Sequence, residues 1–202
     1  IEQLIEPYNV YWKIPTQRKV IYLTFDQGYE YNNNTTQILD TLLEKNVKAT
    51  FFITGSYYDK NKEVVNRMFE EGHIVANHTI NHYRAAPTLE SNQKAYLDDV
   101  ILLNEKVDKM SYYHRPPEGG YSNRSLAILH DLGYTTVFWS FAYRDWLVDD
   151  QPDPEVAFTT IISQLQPGSI YLLHSVSNTN TQILPDVIDA IHNQGYSIEL
   201  LP

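Results

Sequence analysis

Two patterns of hydrophobic positions alternate along the chain. One is a short apolar run, typical of a strand buried on both faces, and the other spaces apolar residues three or four positions apart, as on one side of a helix. Residues 20–25 show the first pattern, and residues 34–46 show the second, with four apolar residues on one helical face: Ile38, Leu39, Leu42 and Leu43. The same patterns predict further strands at residues 49–54, 73–77, 112–114, 135–139, 169–173 and 196–200. They predict further helices at residues 61–71, 91–110, 122–132, 154–165 and 181–194.

Seven strands separated by helices favour a parallel sheet, because a helix is the usual connection between parallel neighbours. The predicted fold is of the α/β class, a complete or incomplete (β/α) barrel with about seven parallel strands, and an open doubly wound sheet is the alternative. The chain has 202 residues without a repeat or a linker. We therefore expect one domain over residues 1–202, with residues 1–19 as an N-terminal extension that packs on the barrel.

Composition excludes several kinds of partner and site. With 15 Lys and Arg against 25 Asp and Glu the net charge is −10, so no nucleic acid or anionic membrane surface is expected as a partner. No apolar stretch reaches the roughly 20 residues of a membrane-spanning helix. There is no cysteine, so any metal must bind through nitrogen and oxygen. The sequence begins at Ile1 without a charged and apolar leader, so we expect no signal peptide in it, although a mature chain would begin in the same way.

Polar residues that could take part in catalysis or metal binding stand at the carboxyl ends of the predicted strands. They are Asp26, His78, Arg115, Asp145 and His174. In a β/α barrel the loops at this end converge on one mouth, which is the catalytic face of such folds. We therefore expect these side chains to share one site.

His78 and His82 are four residues apart, in the segment HTINH. One helical turn would put both imidazoles on one face, where they could hold one metal ion. Two histidines on an exposed polar turn are an equally reasonable interpretation. A metal site would need an oxygen ligand in addition.

The other rim residues suggest proton transfer. Asp26 ends an apolar strand and could be a general base, or it could simply cap a turn. Arg115 lies on a Pro-Pro loop and could hold a carboxylate by two parallel hydrogen bonds, or it could be solvated. His174 could be a general acid whose imidazole is oriented by Asp145, while a buried structural histidine and an ordinary loop acid are the alternatives.

Aromatic residues are frequent in the loops nearest the predicted mouth. They include Tyr29, Tyr31, Tyr121, Tyr143 and Trp146. Aromatic walls often bind sugar rings, although loop tyrosines that only pack are more common.

Taken together and in order, five segments resemble the motifs of the polysaccharide deacetylase family, the carbohydrate esterases that remove N-acetyl groups from amino sugars. The segments are TFDQG at 24–28, HTINH at 78–82, RPP at 115–117, DW at 145–146 and LLH at 172–174. The match covers nearly the whole chain. The resemblance is strongest to the delta-lactam-biosynthetic deacetylases, which act on muramic acid residues of spore-cortex peptidoglycan. The fold that this resemblance implies is a distorted (β/α) barrel.

The resemblance implies a role for each site residue. Asp26 would be the general base, held by Arg115, and His174 the general acid, oriented by Asp145. His78, His82 and Gln27 would bind one divalent metal ion, with Zn²⁺ favoured and Co²⁺, Mn²⁺ or Ni²⁺ as alternatives. Contacts with the glycan are expected from the following residues: Tyr29, Tyr121, Trp146 and Leu172. We expect a monomer that acts outside the cytoplasm, on the cell wall or the spore envelope.

Gln27 departs from the family pattern, because most members have a second acid there. A neutral amide donates no charge and would hold the ion more weakly, and glutamine is one methylene longer than aspartate. Three alternatives follow for the function. They are a deacetylase of chitin-like or poly-N-acetylglucosamine chains, a noncatalytic glycan-binding relative, and a metal-dependent phosphoesterase.

Overall fold

The computed structural model describes residues 7–202. The strands are β1 (Val10–Tyr11), β2 (Val20–Gln27), β3 (Thr50–Ile53), β4 (Ile74–Asn77), β5 (Tyr113–His114), β6 (Thr135–Val137), β7 (Ser169–His174) and β8 (Ser197–Ile198). The helices are α1 (Asn34–Glu44), α2 (Gly55–Lys60), α3 (Lys62–Glu70), α4 (Ala85–Ser91), α5 (Gln93–Lys106), α6 (Asn123–Asp131), α7 (Pro154–Ser163) and α8 (Asn178–Asn193). None of these helices, over the described residues, is long and apolar enough to cross a bilayer.

The strands form one parallel sheet in the order β1-β6-β5-β4-β3-β2-β7, and β8 pairs with the first residues of β2. Phe141, four residues after β6, makes a parallel bridge to Tyr171 of β7. This bridge brings the β6 end of the order beside β7, so the sheet curls into a half-barrel. The distorted (β/α) barrel is confirmed, and the open doubly wound sheet is wrong.

Strand β2 shows how the sequence sets the two faces of the sheet, because all eight of its residues are buried. Ile21, Leu23 and Phe25 belong to the core between the sheet and the helices. Val20 and Tyr22 belong to a second core inside the barrel. Successive side chains of a strand point to opposite faces. The odd-numbered positions of β2 therefore face the helices, and the even-numbered positions face the barrel interior.

Two predicted helices differ from the observed ones because of capping residues. The helix predicted at 91–110 is observed as α5, residues 93–106, because Asn92 caps its start: the φ of Asn92 is −154° and its side chain accepts a hydrogen bond from Ala95 N–H at 3.0 Å. Helix α4, which ends at Ser91, was not predicted. Helix α8 starts three residues earlier than predicted, with Ser177 as its N-cap. Helix α2 was not predicted, because six residues are too few to show a helical period.

The predicted extension, residues 1–19, is described only in part, since residues 1–6 lie outside the described residues. Strand β1 pairs with β6, and Ile14 N–H donates to the carbonyl of Gly168 at 2.8 Å. Gly168 has φ +78°, and a Cβ there would lie 1.9 Å from the Ile14 carbonyl oxygen. This close contact therefore requires glycine. The single domain over 1–202 stays a prediction.

Candidate active site

A cavity of about 1060 Å³ opens where β2, β4 and β7 end. It brings together seven of the predicted site residues, namely Asp26, Tyr29, His78, His82, Trp146, Leu172 and His174. Four others are not among the described residues that line it, namely Gln27, Arg115, Tyr121 and Asp145. The convergence of strand ends predicted the position of the site. It did not separate the residues that face the cavity from those that support them.

Asp26 is an ionised carboxylate fixed by a buried arginine. As an even-numbered residue of β2 it faces the barrel interior, and Arg115 Nη1 donates to its Oδ1 at 2.8 Å. Burial raises the pKa of Asp26, but the charge of Arg115, the charges that His78 and His174 carry when protonated and the Arg115 hydrogen bond outweigh it, so the pKa lies below its usual 3.8. The carboxylate is therefore charged at neutral pH and can accept a proton.

Arg115 is fully buried and contacts Asp26, so the solvated surface position, which was the alternative interpretation, is wrong. It also lacks the predicted pair of parallel hydrogen bonds to one carboxylate. Nε donates to the Val137 carbonyl at 3.1 Å, Nη2 donates to the Phe138 carbonyl at 3.2 Å, and only Nη1 reaches Asp26. The guanidinium carbon lies 4.0 Å from the centre of the Phe52 ring. These contacts satisfy the buried cation and leave it one geometry in which to hold Asp26.

His78 presents a lone pair to the cavity. Its Nδ1 lies 2.8 Å from the Arg115 carbonyl oxygen, which can only accept, so Nδ1 carries the proton and donates it. Burial lowers the pKa of His78 to about 4, so the ring is neutral at pH 7. Its Nε2 lies 3.5 Å from Asp26 Oδ2. Two acceptors thus face each other with no proton between them, an arrangement that a cation stabilises.

His82 lies beside His78 but not on a helix. The two ring centroids are 4.9 Å apart at an interplanar angle of 77°. The predicted helical turn is wrong, because Thr79 and His82 have φ values of 67° and 59° and turn the loop back on itself. Two local bonds hold the turn: Asn77 Oδ1 accepts from Thr79 N–H at 2.8 Å, and Thr79 Oγ1 accepts from His82 N–H at 2.9 Å.

Gln27 points away from the cavity. It occupies an odd-numbered position of β2, next to Asp26 and therefore on the opposite face. Its Oε1 accepts a hydrogen bond from Thr35 Oγ1 of α1 at 3.5 Å, and its buried Nε2 has no hydrogen-bond partner among residues 7–202. Side chains alternate between the two faces along β2, so the position of Gln27 next to Asp26 already indicated in the sequence that the two point in opposite directions. Its role as a metal ligand stays a prediction, and the structure does not bring it to the two histidines.

Within residues 7–202, no three side chains of His, Asp or Glu form a ready-made metal site. The donors that the cavity offers are the two imidazoles of His78 and His82, with Asp26 Oδ2 beside His78. Imidazole nitrogens and a carboxylate oxygen suit Zn²⁺ and other first-row ions. These residues fit a divalent ion, although oxygen from water or substrate would have to complete its ligands.

His174 is supported from behind by a buried acid. Its Nδ1 donates to Asp145 Oδ1 at 2.7 Å, and its backbone N–H donates to Oδ2 at 2.8 Å. Burial lowers the pKa of His174, but the hydrogen bond and charge of Asp145 and the charge of Asp26 together raise it above 6.5. Nδ1 is occupied, so Nε2 is the atom left to exchange a proton. The contact expected from the sequence between His174 and Asp145 is present.

Aromatic and apolar side chains border the cavity as predicted, with one exception. Tyr29 and Trp146 are about half exposed and line it, and Leu172 is buried and lines it. Tyr121 instead packs on Phe138, with ring centroids 5.2 Å apart. Its predicted contact with substrate therefore has no support in the cavity lining.

The sequence analysis did not identify Asn180 or the role of Trp139. Asn180 Nδ2 donates to Asp145 Oδ2 at 2.6 Å, and Asn180 Oδ1 accepts from the hydroxyl of Tyr143, which lines the cavity. Trp139 lines the cavity and packs on Gly119, where a Cβ would lie 2.7 Å from the indole. No local pattern could show these contacts, because they join distant parts of the chain.

Comparison with known proteins identifies the family of the chain. Residues 13–137 match the family model described as polysaccharide deacetylase. The chain is 38% identical over 203 residues to the peptidoglycan-N-acetylmuramic acid deacetylase PdaA of Bacillus subtilis (strain 168), covering 98% of this chain and 76% of that protein. It is 33% identical over 199 residues to a peptidoglycan-N-acetylglucosamine deacetylase of Bacillus cereus, covering 95% and 91%.

A solved structure supports the same relationship. The structure of Bacillus subtilis PdaA, described as a family 4 carbohydrate esterase, superposes with a TM-score of 0.91 at 38% identity and covers 98% of this chain and 86% of that one. The family model spans more than half of the residues, and the relatives match over nearly all of them. The chain belongs to the polysaccharide deacetylase family.

Proposed function

We propose that this protein is a metal-dependent hydrolase that removes N-acetyl groups from amino sugars of peptidoglycan and releases acetate. The observation that carries the proposal is the pairing of Asp26 with His174, which are register partners on β2 and β7. Arg115 holds the first as an anion, and Asp145 favours the cationic form of the second. A carboxylate and an imidazolium side by side are the base and the acid that amide hydrolysis requires.

The base step belongs to Asp26. It takes a proton from the water that attacks the acetamide carbonyl carbon, and Arg115 keeps its carboxylate oriented throughout. A divalent ion held by His78 and His82 would polarise that carbonyl and acidify the attacking water, and we propose zinc, with cobalt, manganese and nickel as alternatives. The neutral state of His78 leaves its Nε2 available for such a role.

The acid step belongs to His174. Its Nε2 donates a proton to the nitrogen as the carbon–nitrogen bond breaks, which turns a poor leaving group into a free amine. Asp145 stabilises the imidazolium before transfer, and it fixes the residue through one hydrogen bond from the ring Nδ1 and one from the His174 backbone N–H. Acetate and the amino sugar then leave the cavity.

The substrate we propose is N-acetylmuramic acid in peptidoglycan. The name of the 38% identical Bacillus subtilis relative gives that sugar, and Tyr29 and Trp146 offer aromatic faces at the cavity edge. N-acetylglucosamine, in peptidoglycan or in a chitin-like chain, is the second candidate, because the 33% identical Bacillus cereus relative is named for it. Either substrate would place the protein outside the cytoplasm, on the cell wall or the spore envelope.

Acetate release tests the proposal. Purified protein is incubated with peptidoglycan that contains N-acetylmuramic acid and, separately, with N-acetylglucosamine oligomers, each with and without a chelator. We expect acetate from the first substrate, loss of release with the chelator, and recovery on adding zinc. Release from the oligomers alone would support the second candidate. Binding of glycan without acetate from either substrate would contradict catalysis and leave a glycan-binding module.

A further inference from the structure

The carboxylate of Asp99 on α5 is buried beneath the loop that carries His82. Asp99 is 3% exposed. Its Oδ1 accepts from Asn81 N–H at 2.7 Å and from Asn81 Nδ2 at 2.8 Å, and its Oδ2 accepts from Tyr83 N–H at 3.2 Å. Its backbone carbonyl accepts from Ile80 N–H at 2.8 Å. Asp99 therefore accepts four hydrogen bonds from three residues near His82, namely Ile80, Asn81 and Tyr83.

This loop needs external support to keep its shape. Thr79 and His82 both have positive φ, a region that residues other than glycine rarely adopt. His82 is exposed. Among the described residues, its ring contacts His78, and its backbone N–H donates a hydrogen bond to the Thr79 hydroxyl. His78, by contrast, directly follows β4 and is fixed through the Arg115 carbonyl. The two imidazoles are thus held by different means, one by the sheet and one by the loop.

We propose that Asp99 is a positioning residue that holds His82 in the orientation needed to bind the metal ion beside His78. The inference rests on the proposed function, since it takes His82 as a ligand. Asp99 fixes the backbone on both sides of His82, at Asn81 and at Tyr83. Without these bonds the loop would sample other backbone conformations, and metal binding would have to select the competent one, which lowers the affinity. Replacing a residue that orients a metal ligand typically lowers metal affinity about 10–100-fold.

Zinc affinity and amide exchange test the proposal together. Asp99→Ala removes every side-chain acceptor, and Asp99→Asn keeps one oxygen while placing an amide N–H against a backbone donor. We expect zinc dissociation constants, measured by calorimetry, to rise about 10–100-fold for Asp99→Ala and by a smaller factor for Asp99→Asn. In the metal-free protein, hydrogen exchange should accelerate at the amides of Asn81 and Tyr83 in both variants.

Val100→Ala is the matched control. Val100 is the next residue of α5 and is 1% exposed, so its truncation lowers the melting temperature without removing a bond to the loop. We expect it to bind zinc as tightly as the unaltered protein and to keep slow exchange at Asn81 and Tyr83. A purely structural role for Asp99 predicts instead that zinc affinity is unchanged in the variants of Asp99, or falls equally in Val100→Ala.

A second variant covers the case in which Asp99→Ala does not fold. Asn81→Ala removes only the Nδ2 bond to Asp99, and Asn81 is exposed, so the fold should persist. Its effect on zinc affinity should be smaller than that of Asp99→Asn, and the two effects should not add, because both act through one carboxylate. Full additivity, or tight zinc binding by Asp99→Asn with rapid loop exchange, would overturn the inference.

His82→Ala separates this inference from the proposed function. If His82→Ala binds zinc as tightly as the unaltered protein, His82 is not a ligand and the proposed metal role itself fails. If His82→Ala loses zinc while the variants of Asp99 retain it, only the positioning role of Asp99 fails.

Discussion

His78 and His174 stand on the same rim, on either side of Asp26, and yet their pKa values shift in opposite directions. Both are largely removed from solvent, which by itself favours the neutral imidazole. Burial lowers the pKa of His78 to about 4, and the backbone carbonyl that accepts its Nδ1–H offsets only part of this. His174 places Nδ1 against the carboxylate of Asp145, and its pKa rises.

The contrast shows that burial lowers the pKa of both rings, and that the carboxylate at Nδ1 of His174 reverses this effect whereas the carbonyl at Nδ1 of His78 does not. A neutral carbonyl fixes a tautomer without adding charge, which leaves Nε2 of His78 as a donor to a metal ion. A carboxylate both fixes the tautomer and stabilises the cation, which leaves Nε2 of His174 with a proton to give. Asp26 lies between them and its charge raises the pKa of both rings.

The largest expected effect comes from removing the charge between the two histidines. Asp26→Asn should lower kcat about 10²–10⁴-fold, because an amide cannot accept the proton of the attacking water. The amide oxygen can still accept from Arg115, so the fold should persist. Acetate release and a thermal melt measure the two effects. Asp98→Asn, an exposed acid changed in the same way, is the control and should keep full activity. Turnover by Asp26→Asn near that of the unaltered protein would exclude Asp26 as the base.

A second expected effect comes from making the partner of His174 neutral, as the partner of His78 already is. Asp145→Asn should lower kcat about 10²-fold or more, because the imidazolium loses its counter-charge. Activity that needs a protonated His174 is lost as pH rises through its pKa, so in this variant the alkaline limb of the profile should move to lower pH. Asp150→Asn, an exposed acid in the same loop, is the control. An unmoved limb in Asp145→Asn would show that another group is the acid.

A third prediction concerns stability, since neutral buried histidines resist protonation. The pKa of His78 and of His73 falls to about 4 and that of His114 to about 3, in each case chiefly through burial, against 6.5 when unfolded. Their stabilising contribution is complete above pH 6.5 and is lost as pH falls toward 4. His174, with a raised pKa, contributes in the opposite direction. We expect the unfolding free energy of the metal-free protein to fall by roughly 2–4 kcal/mol from pH 7 to pH 5.5.

Urea unfolding at the two pH values measures this change. His192→Gln alters an exposed histidine of α8 and should show the same loss of stability as the unaltered protein. Equal stability at pH 7 and pH 5.5 would contradict the view that the buried histidines remain neutral in the folded state.

The smallest expected effect is at Gln27, which the family motif places among the ligands and the structure places on the opposite face of β2. Gln27→Met has a similar volume and removes a buried Nε2 that lacks a partner among the described residues. We expect its zinc affinity to stay within about twofold and its stability to stay equal or rise slightly. His78→Gln, which removes a donor at the cavity, should weaken zinc binding by more than tenfold. A comparable loss in Gln27→Met would restore Gln27 as a ligand.

The sequence predicted the strand ends well because hydrophobic runs and parallel topology are strong constraints. These two constraints are sufficient to place Asp26, His78 and His174 at one rim. The contact between His174 and Asp145 also followed from the order of the motifs. Seven of the eight observed strands were predicted, and β1 was missed because two residues carry too little pattern.

The rest depended on contacts between distant residues or on backbone conformations that local patterns do not show. A spacing of four between His78 and His82 favours a helix, and only the positive φ values reveal a loop. Asn180 and Asp99 support the site from α8 and α5, and their positions in the sequence give no sign of it. The Pro-Pro loop left a solvated Arg115 open as an alternative, because the carbonyls that bury it belong to Val137 and Phe138, 22 and 23 residues later in the chain.

The bridge between Phe141 and Tyr171 has a consequence for the order in which activity is acquired during folding. Phe141 N–H and its carbonyl pair with the backbone of Ile170 and Leu172, and Asp145 follows only four residues later. When Phe141 pairs with β7, the same step therefore brings Asp145 to His174. An intermediate that lacks this bridge would hold Asp26 and His174 side by side but not the carboxylate that orients and charges His174, so efficient proton donation begins only when Phe141 has paired with β7.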